Sequence, residues 1–212
     1  MPVSGQLLQT IYRLEFEEKM VVPIISYGHA ILRSVCQDMD PDYPGLKEMI
    51  IDLTDTLDAA NGVGLAAPQI NKVLRMFIVD TQQVYDQMRE EDRAAYFPGE
   101  KGIKETFINA RIIKWSADTS MDSEGCLSIP TIVEEIERNW CIEIEYYDKY
   151  FKKQIREFSG ITARAIQHEI DHTDGILSID HLSPLKKKLL ESKLKQISEG
   201  KVITNYTMKY FA

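Results

Sequence analysis

Gln167-His168-Glu169-Ile170-Asp171-His172 decides how this chain folds around its chemistry. His168 and His172 stand four residues apart. On an α-helix that spacing is about 400° of rotation, so both imidazoles share one face, one turn apart, and can bind one metal ion. Glu169 lies about 100° around from His168, close enough for its carboxylate to reach a water on that metal without ligating. A metal lowers the pKa of such a water to roughly 7, and the neighbouring carboxylate can take its proton. Ile161, Ala165 and Ile166 precede the pair and predict a largely buried helix over about residues 161–173. Two unliganded histidines would be costly there, which favours a metal over a chance pattern.

The pattern leaves the third ligand open. One metalloprotease class continues as H-E-x-x-H-x-x-G-x-x-H; this chain follows it through Gly175 but has Ser178 at the ligand position. A zinc endopeptidase of a second class would use a downstream Glu, and Glu191 is available for it. Glu191 sits among Lys186, Lys187, Lys188 and Lys193, however, a composition expected to face solvent. Upstream, Glu124-Gly125-Cys126-Leu127-Ser128 offers a thiol beside a Gly that permits close backbone approach. Cys36 and Cys141 lack such company and read as small buried hydrophobes. A further block, Gly62-Val63-Gly64-Leu65-Ala66-Ala67-Pro68-Gln69, has no Lys-Ser/Thr after its glycines and so is no phosphate loop. It is a tight, small-residue turn presenting one amide, Gln69, the kind of donor an oxyanion needs.

The blocks GVGLAAPQI (62–70), EGCLSIP (124–130) and QHEIDH (167–172), in this order, resemble the three signature motifs of the peptide deformylase family. The similarity runs from about Val22 to Leu185. The resemblance implies that Cys126, His168 and His172 bind the metal and that Glu169 is general base and acid. It implies that Gln69 and the Leu127 backbone N–H stabilise the oxyanion, and that the natural metal is Fe2+. Zn2+, Ni2+ or Co2+ in purified protein would not contradict iron, because affinity alone does not select it. The implied substrates are formyl-methionyl ends of nascent bacterial or organellar peptides, which places the protein in the bacterial cytoplasm. The methionine side chain would lie against Val63, Gly64, Gly125, Arg138, Ile161 and Ala165. The chain departs from the usual family pattern at Asn109-Ala110, at Thr173 and at Arg164. A buried Arg164 would need a carboxylate partner, so it is expected to lean outward or to shape the substrate groove.

Composition is that of an ordinary soluble globular protein. The 212 residues are 44% hydrophobic and 27% charged, with a net charge of −8 that argues against DNA binding. Three cysteines far apart make a poor disulfide framework and fit a reducing compartment. No apolar run approaches the length of a membrane span. Leu46, Met49, Ile50, Leu53 and Leu57 mark an amphipathic helix entered from Gly45 and ended at Asn61-Gly62. Val73–Val79, Phe107–Trp115, Cys141–Tyr147 and Phe151–Phe158 read as strands, and residues 81–105 as a polar surface excursion. A last helix opens at Ser183-Pro184, with Leu185, Leu189, Leu194 and Ile197 as its apolar stripe and lysines over the rest. That basic helix is a candidate contact for the ribosome. The expected fold is α+β: a central metal-binding helix packed against mostly antiparallel sheets, with a C-terminal helix. Residues 1–20 read as an N-terminal extension with Leu7, Leu8, Ile11 and Leu14 at helical spacing, of which 1–19 are expected to be dispensable and Met20 to be a native start; 21–183 are expected to form the catalytic domain and 184–212 the C-terminal helix and tail.

Overall fold

A computed structural model describes residues 20–211, and the stretch expected to be dispensable, residues 1–19, lies outside the described residues. In chain order the regular elements are β1 (Ile24–Ile25), α1 (Leu46–Ala60), β2 (Gly64–Ala66), β3 (Met76–Asp80), α2 (Gln82–Gln87), α3 (Glu90–Tyr96) and β4 (Lys104–Trp115). There follow β5 (Thr119–Cys126), β6 (Ile129–Asn139), β7 (Cys141–Tyr147), β8 (Lys153–Ser159), α4 (Gly160–Thr173), α5 (Pro184–Ser198) and β9 (Met208–Lys209). The architecture is the expected α+β arrangement. Five strands in the order β2-β3-β4-β7-β8 form an antiparallel sheet, and β5–β6 form a separate antiparallel hairpin.

Period-two alternation explains how the sheet is covered on both sides. On β3 and β4, Phe77, Val79 and Phe107 face one way and pack with Ala163, Ile166 and Ile170 of α4. Met76, Ile78 and Ile108 face the other way and pack with Met49, Leu53 and Leu57 of α1. Every residue of β3 is therefore buried, and its sequence, Met-Phe-Ile-Val-Asp, is a nearly continuous apolar run. On α4 the residues not turned to the sheet face the β5–β6 hairpin, so this helix lies between the two sheets. Glycine is required where the helix starts: Gly160 has φ of +57°, and a Cβ there would meet the Tyr96 carbonyl oxygen at 2.2 Å.

Three expectations change. Residues 81–105 are not a plain surface loop, because they contain α2 and α3 and are tied to the body. The Thr81 and Thr162 hydroxyls are 3.0 Å apart, and Gln83 Nε2 donates to the Gly62 carbonyl at 2.7 Å. The stripe on α5 is also different. Its buried side chains are Leu190, Leu194 and Ile197, whereas Leu185 and Leu189 are 69% and 74% exposed. Leu189 is about 100° around the helix from Leu190, which turns it off the packed seam. The cap was legible: Ser183 Oγ accepts from Lys186 N–H at 3.3 Å, with Pro184 at the first helical position. Finally, β5–β6 was not anticipated. Its strands are largely polar, and only Ile129, Ile132 and Ile136 on β6 reach the core.

Candidate metal centre

Helix α4 supplies two of the candidate ligands. The His168 and His172 rings stand 5.0 Å apart, nearly perpendicular, as one turn of helix requires. Cys126 is the last residue of β5, where the hairpin register shifts from the Gly125–Val133 pair to Cys126–Ile129. The thiol shares the inward face of β5 with the buried Glu124, and Cys126 Sγ lies 3.3 Å from His172 Nε2. One ligand atom from each of Cys126, His168 and His172 falls within 4.8 Å of the others. A thiolate with two imidazoles is a donor set suited to zinc and other borderline first-row divalent metals. Glu169 Oε2 is buried without a hydrogen-bond partner among the described residues, as expected of a carboxylate that serves a group at this site. The residues fit a metal.

The charges point the same way. Burial by itself would push the Cys126 thiol up, but His172 and His168 beside it outweigh that and bring it down to about 5. Burial raises the Glu169 carboxyl to about 7, against the pull of His168 and His172. Gly64 makes room for this carboxylate, since a Cβ there would come within 2.3 Å of Glu169 Oε1. Gln69 is buried; its Oε1 accepts from Ala66 N–H at 2.7 Å. Its amide nitrogen is thereby turned toward the ligands, 3.2 Å from Ser128 Oγ and 3.9 Å from Cys126 Sγ. Leu127 packs against the same turn, so close that a Cβ on Gly62 would meet its Cδ1 at 2.7 Å. The blocks at 62–70, 124–130 and 167–172 thus meet at one point.

Behind the ligands lies an ion-pair network that sequence reading missed. His168 Nδ1 donates to Glu124 Oε2 at 3.0 Å, leaving Nε2 for a metal. Glu124 also accepts from Arg138 Nε at 3.0 Å and Arg164 Nη1 at 2.7 Å. Burial opposes its ionisation, yet His168 and Arg138 hold its carboxyl well below the usual range. Arg138 Nη1 continues to Asp171 Oδ2 at 2.6 Å, and His181 Nε2 meets that same oxygen at 2.7 Å. A signal was available, because Glu124 and Cys126 are two apart on a strand and so share a face.

Two expectations are corrected here. Arg164 neither leans out nor lines the groove; it is buried, and Glu124 is the carboxylate partner that its burial demands. Arg138, expected against the methionine, is likewise buried and engaged with Glu124 and Asp171. Val63 and Gly125 are exposed, and Ile161 and Ala165 half-buried. Glu191 is exposed on α5, while Ser178 is buried in a short 3-10 turn, Ser178–His181. Cys126, not Glu191, completes the cluster, which removes the endopeptidase reading.

Residues 21–188 match the family model described as polypeptide deformylase. This chain belongs to the peptide deformylase family. A peptide deformylase from Flavobacterium psychrophilum is 44% identical over 192 residues, covering 90% of this chain and 97% of the relative. One from Salinibacter ruber is 36% identical, covering 89% and 94%. Among solved structures, the peptide deformylase of Ehrlichia chaffeensis superposes with a TM-score of 0.76 at 26% identity, covering 87% of this chain and all of that one. That of Thermus thermophilus gives 0.72 at 31% identity, covering 85% and 99%. Peptide deformylases are metalloenzymes that remove the N-formyl group from nascent peptides, and this deformylase is such an enzyme.

Proposed function

We propose that this deformylase hydrolyses the formamide on the N-terminal methionine with Cys126, His168 and His172 holding Fe2+ and Glu169 moving the proton. The observation that carries the reading is the convergence of those three ligand atoms within 4.8 Å beside a buried carboxylate oxygen that lacks a partner. When bound, a divalent metal supplies Lewis acidity and lowers the pKa of a water to about 7. Glu169 would take a proton from the attacking water as that water's oxygen adds to the formyl carbon. Gln69 Nε2 and the Leu127 N–H donate to the carbonyl oxygen as it gains charge. Glu169 then gives the proton to the methionine nitrogen as the C–N bond breaks, and formate leaves. Val63, Gly64, Gly125, Ile161 and Ala165 form the wall for the methionine side chain.

Protein loaded with Fe2+ under anaerobic conditions is expected to release formate from a formyl-methionyl tripeptide, read by coupled formate oxidation. No release under those conditions overturns the proposal.

Formyl-methionyl chains emerge from the ribosome, and we place the enzyme beside it in the bacterial cytoplasm. No helix among the described residues is long and apolar enough to cross a membrane. On α5, Lys188 and Lys193 are exposed on the same side as Leu185 and Leu189. Lysines spaced this way suit RNA phosphates, with contacts weakened by salt. Changing Lys188 and Lys193 to Glu is expected to abolish co-sedimentation with ribosomes at low salt while leaving turnover of a tripeptide unchanged. Undiminished co-sedimentation dismisses the docking.

A further inference from the structure

The residues that match the family end at 188, yet the chain returns to the site after that point. Beyond α5 it reverses at Gly200, φ +70°, whose missing side chain leaves room for the Tyr210 ring. It then runs beside the start of the described chain, where β9 pairs with β1 in parallel. Ile24 N–H donates to Thr207 O at 2.9 Å and Ser26 N–H to Lys209 O at 3.0 Å. The ribbon is anchored at its end by Phe211, edge-on to His29 with ring centres 5.5 Å apart.

This ribbon grips the turn that carries Cys126. From β9's side, the half-buried Tyr206 packs against the α1 core and its hydroxyl donates to the Leu127 carbonyl at 2.9 Å. From β1's side, Tyr27 N–H donates to the Ser128 carbonyl at 2.8 Å. Gln69 Nε2 holds the Ser128 hydroxyl from within, at 3.2 Å. Peptide units are planar, so the Leu127 N–H can swing only through rotation about the bonds at the Leu127 and Cys126 α-carbons. Pinning the Leu127 carbonyl fixes one of the two α-carbon ends between which that peptide unit turns. An oxyanion donor contributes most when it is already aimed before charge develops.

We infer that Tyr206 is a positioning residue for the reaction: through the Leu127 carbonyl, the C-terminal strand keeps the Leu127 N–H directed at the formyl oxygen. The inference rests on the proposed role of that N–H. It assigns a function to a segment outside the matched family span.

The test is Tyr206→Phe in the full-length, metal-loaded enzyme, which removes one hydroxyl and keeps the ring packing. The expected result is a drop in kcat of about 3- to 30-fold, smaller than the loss of a whole oxyanion donor. KM, metal content and Tm should stay at the wild-type values, and the Leu127 amide should exchange with solvent faster in the variant. Wild-type kcat in Tyr206→Phe overturns the inference. So does a loss of kcat that tracks a fall in Tm or in metal content, with Leu127 exchange unchanged. Absence of turnover in the wild-type enzyme would instead strike at the deformylase mechanism, so the two failures are separable.

Discussion

Glu169→Ala is expected to lower kcat by about 10²- to 10⁴-fold, the range for removing a positioned acid–base group. Metal content should be unchanged. Among the described residues, Glu169 is the carboxylate of the site to which we assign the proton transfer. Glu124 is fully engaged with His168, Arg138 and Arg164, and Asp171 with Arg138 and His181. Glu169 by contrast has one oxygen buried and unpartnered, and its other oxygen lies against the bare Gly64 backbone. Because it is not among the three clustered ligands, its removal should spare the metal. Formate release measured beside metal analysis separates the roles. Equal loss of metal and activity would make Glu169 a ligand and sink its assignment as the base.

Glu124→Ala should have the largest effect on stability. It would take the shared carboxylate from two buried guanidinium groups, leaving Arg138 with Asp171 and Arg164 with Ser120 and the Ile136 carbonyl, and would free His168 Nδ1. Breaking a buried ion pair from one side costs about 3–5 kcal/mol. For a chain of this size, each kcal/mol shifts Tm by roughly 2–4 °C, so the midpoint should fall by about 6–20 °C. Loss of the partner that orients His168 should also weaken metal binding by about 10- to 100-fold. Differential scanning calorimetry and a chelator competition read the two consequences separately. A Tm within a degree of wild type would mean that the network carries little of the fold.

The two effects differ because the groups face different demands. Glu169 is buried with one oxygen lacking a hydrogen-bond partner among the described residues, which suits a group that must exchange a proton. Glu124 is saturated with partners, which suits one that must hold a ligand still. Two carboxylates with three strands between them in the chain thus acquire opposite properties from their surroundings alone.

Local physics made much of this legible in one dimension. His168 and His172 share a helix face through the 3.6-residue period, whatever surrounds them. Ser183 and Pro184 announce the start of α5, and Ile142, Ile144 and Tyr146 alternate as a half-buried strand must. Three ordered blocks therefore sufficed to point to the metal, the proton carrier and the family. What could not be read were pairings between residues far apart. Arg164 looks like a groove residue until Glu124, forty positions earlier, appears beside it. Arg138 looks available to substrate until Asp171 and Glu124 claim it. Leu185 and Leu189 seem a packing stripe, and only the position of β6 and its neighbours shows the seam to be Leu190, Leu194 and Ile197. The hydroxyl of Tyr206 reaches Leu127 across 79 residues. The amino-acid order determined which groups could act on a metal, because helical and strand periods are local. Tertiary structure alone decided which charges are buried, and with whom, because burial is settled by whatever the rest of the chain brings alongside.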